Sequence, residues 1–112
     1  MQIEPEQSEF ADTVYRVLAD RRRRAVLRFL VDRSGTATVD ELTDWLWERE
    51  RGQHGTDSRS RIAVDLYHTE LPMLADADVV EYDREEESVS LTDRGRTAAA
   101  VRRATAERLA NR

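Results

Sequence analysis

Apolar positions recur at helical spacing from the start of the chain. Phe10, Val14, Val17 and Leu18 fall at i, i+4, i+7 and i+8, one face of a helix that begins after Ser8. Val26, Phe29 and Leu30, with Ala25 and Leu27 beside them, predict a second helix capped by Asp20 and closed by Ser34-Gly35. Thr36 to Val39 is short and β-prone. Thr38 and Glu41 form a T-x-x-E capping box that opens a third helix, with Leu42, Trp45 and Leu46 inward and Trp47 off the stripe. From Glu48 to Ser60 the chain reads ERERGQHGTDSRS, a polar loop. A fourth helix follows on Ile62, Ala63, Leu66, Leu71 and Leu74, which Pro72 should end or kink. Val79, Val80 and Tyr82, then DREEE, then Val89 and Leu91 predict a hairpin. A last helix, rich in Ala and Arg, carries a thin stripe of Ala98, Val101, Thr105 and Leu109. That stripe is too weak to bury itself against its own core, and it suits the same helix of a second chain.

The fold class is therefore mainly α with a small β-hairpin, in the order α-α-(β)-α-α-β-β-α. Residues 1–7 are expected to form a flexible leader, 8–92 the domain, and 93–112 a C-terminal helix that serves as a dimerisation element. The length of 112 residues suits one domain. Cysteine is absent, which excludes a disulfide framework, a thiolate zinc site and a catalytic thiol. No apolar run reaches the ~18–20 residues of a membrane span, and the acidic start is no signal peptide, so a cytoplasmic protein without a membrane partner is expected. All 18 basic residues are Arg, against 23 Asp plus Glu and a net charge of −5. Arg-only basic usage with an acidic excess suits a GC-rich genome and a salt-rich cytoplasm. The net negative field also disfavours indiscriminate nucleic-acid binding.

A helix, a short strand, two helices and a hairpin is the order of a winged helix-turn-helix. The stretch VLADRRRRAVLRFLVDRSGTATVDELTDWL resembles the opening of ArsR-like winged-helix regulators. The stretch RIAVDLYHTELPMLADADVVEYDREEESVSLTDRGR is similar to their recognition helix, wing and closing Leu-Thr. More closely, the chain resembles an uncharacterised group of small winged-helix domains from halophilic archaea, over roughly residues 10 to 98. The resemblance implies a homodimeric transcription regulator of double-stranded DNA, with the fourth helix in the major groove and terminal helices forming the dimer. It places Ser58, Arg61, Asp65 and His68 on the groove-facing stripe and Arg59 and Ser60 near phosphates at the helix start. Arg61 is the main candidate, since arginine pairs bidentately with guanine.

Several features bear on that reading. The loop before the fourth helix is longer than the ~3–4-residue turn of a tight helix-turn-helix, and can carry phosphate contacts from Arg49, Arg51, Arg59 and His54. The wing tip, Asp83-Arg84-Glu85-Glu86-Glu87, is assigned no DNA contact and reads as a solvated acidic turn. Asp65 can accept from cytosine, but an i, i+4 pair with Arg61 is the preferred reading. In the Arg21–Arg24 run, Arg23 and Arg24 are expected to lie along the surface near Asp12 and Asp20. Arg21 and Arg22 stay open as phosphate contacts. Trp45 and Trp47 read as core and rim. The metal-sensing relatives use cysteine pairs on the third helix; here it reads VDELTDWLWE, and His54 and His68 make no site, so no metal and no cofactor are expected. No catalytic motif is present, so the chain is not read as an enzyme. The rival reading is a winged-helix protein–protein interaction module. Arginines 49, 51, 59 and 61 gathered apart from acids would favour DNA, and acids mixed among them would favour the module.

Overall fold

Helix α1 (Pro5–Leu18) turns Val14 and Val17 into the core, and α2 (Arg21–Asp32) buries Val26, Leu27, Phe29 and Leu30 beside them. The computed structural model describes residues 5–53, 55 and 57–110, with side chains from Glu9 onward. Asp20 joins the two helices: its carboxylate accepts from the backbone N–H groups of Arg22 and Arg23, at 2.8 and 3.1 Å. Gly35 adopts a φ of 94° and donates its N–H to the Leu30 carbonyl, so α2 ends where a left-handed residue is needed.

Strand β1 (Thr36–Thr38) leads into α3 (Val39–Arg51), whose capping box is complete: Glu41 N–H donates to the Thr38 hydroxyl and Thr38 N–H to the Glu41 carboxylate. The next helix is one rod in three parts, α4 (Arg59–Asp65), a π-helical turn (Leu66–Glu70) and α5 (Leu71–Asp76). Strands β2 (Val80–Asp83) and β3 (Ser88–Leu91) form the hairpin, and α6 (Asp93–Ala110) closes the chain. The sheet is antiparallel in the order β1-β3-β2, with Ala37 opposite Val89 and Val89 opposite Tyr82. Val80, Val89, Leu91 and Ala37 cover the helical core, while Thr36, Thr38, Ser88 and Ser90 lie on the other face. The result is a mainly helical, winged-helix-like layout in which the β1 segment is a third strand of the wing's sheet.

Three expectations need correction, and a fourth is narrowed. The segment before α4 is shorter than the sequence implied, because α3 continues to Arg51. Glu48 pairs with Arg51 at 3.1 Å, and the Arg51 guanidinium lies 4.6 Å from the Trp47 ring centre, which supports the last turn. Of the two outcomes expected at Pro72, the helix is not ended but interrupted: the wider π turn before it, where Leu71 N–H donates to the Leu66 carbonyl, gives room where an α-turn would clash. The leader is already helical from Pro5, and residues 1–4 lie outside the described residues. Finally, α6 is not separable at residue 93, since Gly95 and Ala98 are buried in the main core. Beyond them Val101 and Leu109 are exposed, at 38% and 59%, so the outer half of α6 has no cover of its own.

Candidate nucleic-acid interface

The Arg21–Arg24 run puts four cations at the N-terminus of α2, where the helix dipole disfavours them. Two of them are used at the end of the preceding helix instead. Arg23 is buried and donates to the carbonyls of Val17 and Arg16, at 3.0 and 2.9 Å, while Arg24 donates to Leu18 at 2.6 Å. These are carbonyls of the last turn of α1, and a cation is favourable there. The expectation that both lie along the surface near Asp12 and Asp20 is thus overturned. Arg23 also pairs with buried Glu70 at 3.3 Å. Burial, with Asp20 and Asp65 adding negative charge, pushes the Glu70 carboxyl up to about 7 despite that partner.

Arg22 holds three elements together. Its Nε and Nη2 donate to both oxygens of Glu50 at the end of α3, the Nε contact at 2.7 Å. Nη1 donates to Asp65 on α4 at 2.7 Å, and Nη2 also reaches Asp57 at 3.1 Å. The hydrogen bond to Glu50 is the main cause that raises its pKa still further. A guanidinium with three carboxylates around it is a clamp rather than an open phosphate donor. Arg22, open from the sequence as a phosphate contact, is thus committed to Glu50, Asp57 and Asp65. The same cluster corrects the Arg61–Asp65 pair, because Asp65 turns toward α2, off the outward face of α4.

The other candidates divide in the same way. Ser58 caps α4, its hydroxyl oxygen accepting the Arg61 N–H at 3.1 Å. Arg59 is pulled back onto α3 by Asp44 at 2.5 Å and Asp40 at 3.7 Å, with the Asp44 bond raising its pKa. Arg51 is held by Glu48 and Trp47, as above. Arg49 lies 5.2 Å from the centre of the Trp45 ring, which itself stacks on Phe29 at 4.9 Å. Arg21, Ser60, Arg61 and His68 are exposed, and among the described residues none of them has an ion-pair partner. His54 lies outside the described residues.

The outward face of α4 and the turn after it therefore carries Ser60, Arg61, Val64 and His68, with no carboxylate among them. Val64, exposed at 57%, is not among the residues that the spacing singles out. Its place between Arg61 and His68, at i+3 and i−4, was the available signal. Tyr67 flanks this face and packs on Tyr82 of β2 with ring centres 6.3 Å apart, tying the helix to the wing. Burial raises the pKa of both phenols. The wing tip is fixed by Asp83, whose carboxylate accepts from the N–H groups of Glu85 and Glu86, at 3.0 and 3.1 Å. Among the described residues, no group of three or more His, Cys, Asp or Glu is placed to hold a metal ion. No described helix is long and apolar enough to cross a membrane.

The chain is of a small winged-helix-like class with a presented helix and an acidic wing. It belongs to a family described as a domain of unknown function, DUF7344, which matches residues 15–90, from the last turn of α1 into β3. Searches of curated proteins and of solved structures return no match.

Proposed function

We propose that the protein is a cytoplasmic, ArsR-like, sequence-specific DNA-binding regulator that acts as a homodimer and reads the major groove with α4. The observation that carries this reading is the acid-free outward face of α4, on which Arg61 stands exposed and uncommitted. Arg61 would pair with guanine O6 and N7, Val64 would contact a thymine methyl group, and Ser60 and His68 would add polar contacts. Most of the surrounding arginines are neutralised, so few phosphates are engaged and binding loses little affinity with salt. The exposed Val101 and Leu109 on α6 support a dimer through the terminal helices. Arg61→Ala should weaken specific binding by about 1–3 kcal/mol and relax one base position. Equal binding by the wild type and Arg61→Ala on a selected site would remove Arg61 from the interface.

A second reading, a winged-helix protein–protein interaction module, is favoured by one observation. Arg51 and Arg59 each lie against acids, so acids are mixed among Arg49, Arg51, Arg59 and Arg61. A chain that retains no DNA at any salt concentration would leave this reading in place.

A further inference from the structure

Away from the outward face of α4, an open groove runs between the outer face of α2 and the projecting half of α6. Arg21, Arg24 and Arg28 line one wall at i, i+3 and i+7; Arg96, Arg102 and Arg103 line the other. None of the six has an ion-pair partner among the described residues. The carboxylates of Glu50, Asp65 and Glu70 that also border the groove are taken up by Arg22 and Arg23, which leaves Asp32, Glu107 and the helix-capping Asp20 against the six. The floor between the walls includes Ala99 and Ala100, short enough to admit a polypeptide segment. In a chain of net charge −5, this is a concentrated positive surface.

The same molecule carries the complementary shape. The wing tip projects Glu85 and Glu86, both exposed, from a turn made rigid by the Asp83 carboxylate and by the left-handed Glu87, at a φ of 52°. Neither Glu85 nor Glu86 has an ion-pair partner among the described residues. We propose that the α2–α6 groove receives the acidic wing tip of a second copy of this chain. Carboxylate and guanidinium meet there in the forked geometry that arginine favours. An apolar floor and three remaining acids suit a short acidic hairpin better than a continuous phosphate backbone. The contact joins unlike surfaces, so it passes from copy to copy unless the array closes. It is separate from the apolar stripe of α6, which lies on the opposite side of that helix from Arg96 and Arg103.

Sedimentation velocity of the full chain tests this at low salt and at molar KCl, where screening falls to ~3 Å. The wild type should form a larger species at low salt than at high salt. Arg28→Glu with Arg103→Glu should abolish the low-salt species, and so should Glu85→Arg with Glu86→Arg. An equimolar mixture of the two double variants should regain it, because each supplies the partner the other lacks. All four positions are exposed, and unchanged melting temperatures confirm that the variants fold. Association that ignores salt, or survives wing reversal, or is not regained in the mixture, would overturn the proposal. So would groove reversal that removes binding of a DNA duplex while wing reversal leaves self-association intact.

Discussion

Replacing Arg22 by methionine separates a structural clamp from a phosphate contact. Methionine keeps most of the side-chain stem but leaves Glu50, Asp57 and Asp65 facing one another without a cation. The Arg22 side chain is 16% exposed, against 19% for Glu50, 32% for Asp65 and 41% for Asp57. Breaking a fully buried pair costs about 3–5 kcal/mol, and an exposed pair contributes about 0–1. This half-buried cluster lies between, so Arg22→Met should cost about 2 kcal/mol. At roughly 4 °C per kcal/mol for a domain of this size, the melting temperature should fall by about 8 °C. Thermal and urea melts at neutral pH measure it. A double-mutant cycle with Glu50→Gln should show a coupling of about 1 kcal/mol, since the second change removes a group the first has orphaned. A melting temperature within ~1 °C of wild type, with no coupling, would refute the clamp, because surface changes away from such features cost little. DNA affinity reduced at unchanged stability would restore Arg22 as a phosphate contact.

Three further outcomes follow from the packing. Glu70 has a carboxyl pKa raised to about 7 from 4.5, so the folded state holds a proton that the unfolded chain has released. Stability from this group is complete below pH 4.5 and is lost as pH rises through 7, by about 3 kcal/mol at most. Glu70→Gln keeps an acceptor for Arg23 and should flatten that slope in melts from acid to mildly alkaline pH; an unchanged slope would assign it to other groups. Gly95→Ala would place a Cβ 2.1 Å from the Val79 carbonyl oxygen and 2.7 Å from Leu91 Cδ2. That oxygen accepts the Thr92 N–H at 3.2 Å, so it cannot shift freely, and a loss of about 3 kcal/mol is expected in urea melts. Leu109→Glu, at a position 59% exposed, should leave the stability of the single chain unchanged and dissociate a dimer built on α6, read by sedimentation equilibrium at molar salt.

Local chemistry made the elements legible. The Thr38–Glu41 box, the Asp20 cap and the Gly35 turn each act within a few residues of themselves, so spacing alone revealed them. Side-chain partners across the chain were not legible. Arg22 finds Glu50 and Asp65 at separations of 28 and 43 residues, and no periodicity announces such a meeting. The same long-range pairing turned Arg59 onto α3 and set Arg23 against Glu70, 47 residues on. Whether Arg49, Arg51, Arg59 and Arg61 stand apart from acids was therefore open in the sequence, and an exposed valine such as Val64 gives no charge signal. The π turn before Pro72 escaped for another reason: proline forbids a regular turn without saying which irregular one relieves it.

The central claim, that α4 reads base edges, is tested most directly by capturing genomic DNA fragments with the purified protein at molar KCl and sequencing what is retained. The account predicts a common two-fold site, with half-sites about 10 bp apart, that survives high salt and is lost with Arg61→Ala. Retention only at low salt, without a shared sequence, would contradict it.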